Sequence, residues 1–234
     1  MTSLVSRPAL LLMVVIASLH EPVSAQEKSV RPGINDSFRD PDPKQFTERF
    51  EIESREVFAK REEILKAIGL KPADVVADVG AGTGLFTRLF AAKLAPEGRV
   101  IAVDIAKKFL DHIEVTCRER NLRNVDTLLC TDDSTQLPAN SVDVAFICDT
   151  YHHFEFPQKT MTSLRKAVKP GGRVIVIDCL SDTHSGHVIL LNSKHEFYDS
   201  SGLAERISAP SCRFLPAIIK DASTGDVAHG TGQF

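Results

Sequence analysis

The residues best able to do chemistry are Asp78, three glycines at alternate positions (Gly80, Gly82 and Gly84) and Asp104. Glycine at such spacing lets the backbone turn tightly and lets a ligand come close to it. An acid about twenty residues further on, at the end of a second strand, can accept from both hydroxyls of a ribose. A lone GxGxG describes only a tight turn, but loop and acid together describe a seat for a nucleotide-like ligand. His152 and His153 follow a later apolar run, where a proton acceptor could stand, and Asp149 beside them is a comparable candidate. Packing or a turn is the alternative role for each of the three.

Positioning these residues requires a strand before each of them. Val75, Val76, Ala77 and Val79 form a short β-branched run, as a strand covered on both faces does. A helix is expected over Leu85 to Leu94, a turn at Pro96, Glu97 and Gly98, and a strand over Val100 to Val103. A helix from Lys107 to Arg120, a strand from Val125 to Cys130 and a polar loop follow. Then come a strand over Val142 to Cys148, a helix over Gln158 to Val168 and a strand over Arg173 to Asp178. Strands alternating with helices at this spacing predict a Rossmann-like, doubly wound, mostly parallel α/β sheet. Ligands in such sheets bind beyond the carboxyl ends of the strands. Those ends carry the glycines, Asp104, Asp132, Asp133, Cys148, Asp149 and Asp178, an acidic rim suited to hydroxyl, amine and sulfonium groups.

The chain has 234 residues, 43% of them hydrophobic, which is enough for one sizeable core. A net charge of −3 gives no electrostatic case for nucleic acid. Residues 1–25 read as a signal peptide: Arg7, an apolar run from Ala9 to Leu19, then small residues at Val23, Ser24 and Ala25. Export is therefore expected, with a cytoplasmic location as the alternative. The apolar run is too short for a comfortable membrane span. Residues 26–42 read as a linker that then packs down, and 43–234 as the domain, with a cap helix (43–69), a core (70–180) and an atypical carboxyl region (181–234). The expected cap helix runs from Pro43 to Ile68, ended by Gly69 and Pro72. Its charged side is either solvated or sends Glu53, Arg55 or Glu56 into a ligand site. The cysteines, at 117, 130, 148, 179 and 212, have neither CxxC nor metal-ligand spacing. They read as reduced core thiols, with a disulfide between neighbouring strands as the alternative, and no metal site is expected.

The ordered stretches ADVGAGTG (Ala77 to Gly84), AVDI (Ala102 to Ile105), TDDSTQLPANSVDVAFICDTYHHF (Thr131 to Phe154) and LRKAVKPGGRVIVID (Leu164 to Asp178) resemble the class I S-adenosylmethionine-dependent methyltransferases. The likeness extends over about Leu70 to Asp178, and the opening segment and cap helix are similar to a bacterial group of small-molecule type. It implies that S-adenosylmethionine is the cofactor and a small molecule the acceptor. Gly80, Ala81, Gly82, Thr83 and Gly84 would then lie along the methionine and ribose of the cofactor, with Asp78 at its amino-acid end. Asp104 would take the ribose hydroxyls, Ile105 would pack on the adenine, and Asp133, with Asp132 as near rival, would meet the adenine amine. Cys148 and Asp149 would line the wall near the sulfonium.

Two absences narrow the acceptor, and the carboxyl third departs from the family. No (D/N)PPY stretch is present, which disfavours methylation of DNA bases or protein amides, and the cysteine spacing disfavours arsenite. After Asp178 the chain reads as a polar loop, a helix around Lys194 to Arg206 and one strand, Phe214 to Ile219, which would leave the sheet incomplete. A catalytically impaired domain that binds the cofactor is the alternative on that ground. A nicotinamide-dependent oxidoreductase is a further one, although it wants GxGxxG and a Tyr/Lys pair that are absent.

Overall fold

Apolar residues alternate along the central strands so that each strand buries both faces, which only a sheet covered on both sides permits. A computed structural model describes residues 28–180, together with the backbone of Ser185–Leu191, Ile218–Ile219 and Val227–Ala228. Parallel strands β1 (Val75–Val79), β2 (Arg99–Asp104), β3 (Val125–Leu129), β4 (Val142–Cys148) and β5 (Val168–Leu180) stand in the order β3-β2-β1-β4-β5. Val76, Val144, Phe146, Ile175 and Ile177 point to one face. There they pack on α3 (Arg61–Ile68) and α4 (Leu85–Leu94), with Phe86 and Phe90 against Phe146 at 4.8 and 5.1 Å. Ala77, Val79, Ala145, Ile147, Val174 and Val176 point to the other, under Met161, Leu164 and Ala167 of α6 (Pro157–Ala167). The amphipathic α5 (Lys107–Glu119) closes the far side through Leu110, Ile113 and Cys117.

Two expectations need correction. The cap is not one helix but three: α1 (Pro43–Phe50), α2 (Glu56–Ala59) and α3. It breaks at Glu51–Arg55 with no glycine or proline there; Glu51 turns to Arg88 of α4, and Arg55 to Asp149 at the end of β4. Gly69 ends α3 at φ +62, as expected. The polar loop read after Asp178 contains instead a strand, β6 (Ser185–Leu191), paired antiparallel with β5 from Leu180↔Ser185 to Val174↔Leu191. The apolar run from Val188 to Leu191 was its signal. A covered β5 is no longer the sheet's edge. Of the expected strand Phe214 to Ile219, only Ile218–Ile219 is described, as β7, paired antiparallel with β8 (Val227–Ala228). The signal segment, the helix around 194–206 and the side chains of Cys179 and Cys212 lie outside the described residues. Among the described residues no helix is long and apolar enough to cross a membrane.

The stretch before α1 does pack down. Val30 N–H donates to the Glu155 carbonyl at 2.9 Å, Asn35 Nδ2 to the His153 carbonyl at 3.0 Å, and Arg39 makes a forked bond to Asp132 at 3.0 and 3.1 Å. Residues 28–42 thus form a strap across the carboxyl ends of the strands.

Candidate functional site

From β1 the chain proceeds to β2, and from β4 to β5, in opposite directions across the sheet. The crevice outside the carboxyl ends at such a reversal is where open α/β sheets bind ligands. The β1 turn is left-handed at Gly80, Gly82 and Gly84, with φ of +72, +53 and +79. These glycines serve different ends. A Cβ on Gly80 would lie 2.1 Å from Thr150 Cγ2, and one on Gly84 would lie 2.6 Å from Ile113 Cγ1. A Cβ on Gly82 would meet nothing nearer than the Gly80 carbonyl at 3.9 Å, so Gly82 alone faces open space.

Asp104, 6% exposed at the end of β2, holds that turn: Oδ2 accepts from Gly82 N–H at 2.9 Å and Oδ1 from Ala106 N–H at 2.8 Å. Burial raises its pKa, opposed by these backbone bonds. Ile105 follows it, half-buried. Asp78 shares the face of β1 that meets α4, and its Oδ2 accepts from Thr87 Oγ1 at 2.6 Å in the first turn of that helix. Complete burial, reinforced by Asp104, pushes its pKa up to about 6 despite the bonds from Thr87.

Arg88, 7% exposed, is the wedge under the turn. Nη1 donates to the Thr83 carbonyl at 2.7 Å, and Nη2 grips Glu51 at 2.6 and 2.8 Å. This pair ties the cap to the glycine turn. Sequence reasoning missed it, although an arginine in the apolar stretch LFTRLFAA was a visible signal.

At the end of β4, Asp149 has φ +49, and its Oδ2 binds Arg55 Nη2 at 2.7 Å. Of the three candidates in the cap, Arg55 is thus the one that reaches the rim. Glu53 pairs with Arg61 and Glu56 with Lys60. Asp149 Oδ1 is buried with no hydrogen-bond partner, and burial raises this carboxyl's pKa against the pull of Arg55. Thr150 Oγ1 bonds the Cys148 carbonyl at 2.8 Å and the Gly80 carbonyl at 3.3 Å, joining the β4 end to the glycine turn.

Two residues on, His152 Nδ1 meets Asp178 Oδ1 at 2.5 Å, while His152 N–H donates to Asp178 Oδ2 at 2.8 Å. The Asp178 bond raises the His152 pKa. His153 turns away against Phe38, with ring centroids 4.8 Å apart, and burial lowers its pKa. Burial also pushes the Cys130 thiol up to about 12 and the Cys148 thiol well above its usual range, so both are neutral and inert. Asp132 is taken by Arg39, and Asp133 by Thr131 Oγ1 at 2.9 Å and Lys159 at 3.6 Å. The structure therefore gathers Gly82, Asp104, Asp149 and His152 around one crevice and engages Asp132 and Asp133 with neighbouring side chains.

A methyltransferase domain family matches residues 77–176, from the middle of β1 to β5. The chain is 28% identical to a S-adenosylmethionine-dependent methyltransferase from Aquifex aeolicus over 60% of its own length and 74% of that chain, with a TM-score of 0.54. Residues 77–176 are thus similar to the methyltransferase domain, and the sheet order and site are those expected of a class I S-adenosylmethionine-dependent methyltransferase. A ubiquinone/menaquinone biosynthesis C-methyltransferase of Hydrogenovibrio crunogenus is 27% identical over 56% of the chain and 50% of the relative. Its counterpart in Burkholderia mallei is 30% identical over 47% and 44%. The chain spans about half the length of these curated relatives.

The residues present fit the cofactor of this methyltransferase family. Gly82 leaves room where a Cβ would intrude, Asp104 keeps lone pairs beyond its two backbone bonds, and Asp149 Oδ1 is a buried acceptor in want of a donor. An acidic rim also suits a ligand that carries a sulfonium and an ammonium.

Proposed function

We propose that the protein transfers a methyl group from S-adenosylmethionine to a small-molecule acceptor. The observation that carries this reading is the left-handed turn at Gly82, held open by the Asp104 carboxylate at the sheet's point of reversal. When bound there, the cofactor supplies a methyl group on a cationic sulfur that is already a strong electrophile. The chain's own work is to bind and orient. Gly82 allows backbone approach, Asp104 accepts from hydroxyls, and Asp149 Oδ1 accepts from a donor of the ligand. Holding the acceptor in line with the methyl group supplies much of the acceleration in such a reaction. The match to methyltransferases favours this reading over a nicotinamide-dependent oxidoreductase. The net charge of −3 supports a small-molecule acceptor over nucleic acid. The basic, apolar, then small-residue pattern of residues 1–25 supports export, which a fusion of residues 1–40 to a reporter active only outside the cytoplasm would test.

The test of the activity is calorimetric titration of the full chain with S-adenosylmethionine. Saturable binding is expected, weakened about tenfold or more in Asp104→Asn, the worth of a hydrogen bond to a charged group. Absence of binding to the wild-type chain refutes the proposal, and undiminished binding by the variant refutes the site.

A further inference from the structure

We propose that His152, oriented by Asp178, is the proton acceptor for a neutral, phenol-type hydroxyl, which makes this protein an O-methyltransferase of aromatic hydroxyl compounds. This inference rests on the methyl-transfer reading and narrows it. Geometry separates His152 from its two rivals. His153 packs edge-on against Phe38, and Asp149 is ion-paired with Arg55. His152 is 35% exposed, and its Nδ1 and backbone N–H are both bound by the buried Asp178. The two hydrogen bonds to one carboxylate fix the ring and place the Nδ1 proton, which leaves Nε2 as a basic lone pair. Among the described residues Nε2 has no hydrogen-bond partner. Thr150, two residues back, contacts Gly80, which ties the segment carrying His152 to the glycine turn.

The surroundings select the acceptor. Rings succeed one another along the strap and cap: His152 to His153 at 4.2 Å, His153 to Phe38 at 4.8 Å, Phe38 to Phe46 at 5.3 Å and Phe46 to Phe50 at 5.2 Å. Arg55 then covers Phe50 at 4.6 Å and returns to Asp149, three residues from His152. These half-buried rings make the wall beside His152 aromatic and apolar, which suits a planar acceptor. Asp149 and Asp178 repel a carboxylate. They would hold an amine as its ammonium, which is not a nucleophile. A phenol is neutral, with a pKa of about 10, and needs a base to become a strong nucleophile. In the step, the hydroxyl proton moves to His152 Nε2 while an oxygen electron pair forms the new O–CH3 bond. The electron pair of the breaking carbon–sulfur bond stays on sulfur, and the imidazolium later releases its proton to water.

The charged groups that face His152 are Asp178 on β5, Asp149 and the neighbouring His153 on its own segment, and Arg31 on the strap, whose Nη1 donates to the His152 carbonyl at 3.3 Å. Asp178 dominates, so turnover rises with pH through a histidine pKa above the ordinary value. In Asp178→Asn, a positioning variant, that limb moves to lower pH.

The test uses the full chain with labelled S-adenosylmethionine and a panel of simple phenols, amines and thiols. Cofactor binding is measured by calorimetry in the same samples. A second readout needs no cofactor: para-nitrophenol, added below its own pKa, is expected to develop phenolate absorbance on binding to wild type and not to His152→Gln. Methylation of phenols is expected to fall about 100-fold or more in His152→Gln while cofactor affinity stays within about threefold. Cofactor binding with turnover of amines or thiols only, or of no compound in the panel, overturns the inference and leaves the methyl-transfer reading standing. So does phenol turnover that His152→Gln leaves within about threefold. If His152→Gln also loses cofactor binding, the pH limb of Asp178→Asn decides: an unmoved limb overturns the inference. Failure of the wild-type chain to bind the cofactor removes both readings.

Discussion

Replacing Asp78 by asparagine should make the ligand-free protein more stable. The carboxyl is fully enclosed between β1 and α4, and burial, reinforced by Asp104, raises its pKa from 3.8 to about 6 against the opposing bonds from Thr87. The native state therefore holds this proton more tightly than the unfolded chain does. Native stability falls as pH rises from the unfolded value of 3.8 to about 6, and the full loss persists above that. At about 1.4 kcal/mol per pH unit, the ionised carboxylate costs ~3 kcal/mol near neutral pH. Asparagine keeps an oxygen for the Thr87 hydroxyl and carries no charge, so it escapes that cost. For a chain of this size the gain corresponds to a melting temperature higher by roughly 6–12 °C. Urea and thermal denaturation of both proteins across the acid-to-neutral range provide the assay. The gap should be widest above about pH 6 and should close below about pH 4. A variant that melts at or below wild type near neutral pH refutes the reasoning, as does a gap indifferent to pH.

Two further pairs of substitutions probe the glycine turn and its support. Glu51→Ala leaves the Arg88 guanidinium buried without its carboxylate and should cost about 3–5 kcal/mol, measured by urea denaturation. Arg88→Met removes the buried charge itself and should cost less; the reverse order would refute the wedge. Gly80→Ala drives a methyl into Thr150 and should lower the melting temperature far more than Gly82→Ala, whose new methyl enters open space. Gly82→Ala should lose only about 1–2 kcal/mol to left-handed strain, yet lose most affinity for S-adenosylmethionine. Equal damage to folding from both substitutions would contradict the division of labour among the glycines.

What the sequence made legible was whatever local periodicity or residue type encodes. The helix Leu85–Leu94 and the strand Val142–Cys148 have the expected bounds, because their apolar repeat is set by the faces they bury. Asp104 was legible as a strand-end acid, and Asp178 as one of the rim acids. The partnership of Asp178 with His152 was not, because it joins positions 26 residues apart that only the register of β4 with β5 brings together. The cap's break escaped for the same reason: Glu51 and Arg55 look like a solvated face until Arg88 and Asp149 are in place. Asp132 and Asp133 could not be told apart by type, and what separates them, Arg39 on the strap, lies 93 residues from Asp132. β6 was the avoidable miss, since its apolar run stood in plain view after a polar lead-in.

The strap has a consequence in time as well as in space. Its bonds join residues separated by 93, 118 and 121 positions, among the longest loops this chain closes. Contacts of that kind pay the largest closure entropy and form late. The first described residues to leave the ribosome are therefore among the last to dock, and they wait for the segment after β4 to emerge and fold. In the finished protein, polar bonds at an exposed segment are also the first to open. Amide exchange in the strap is therefore expected to precede exchange in the strands whose carboxyl ends it crosses.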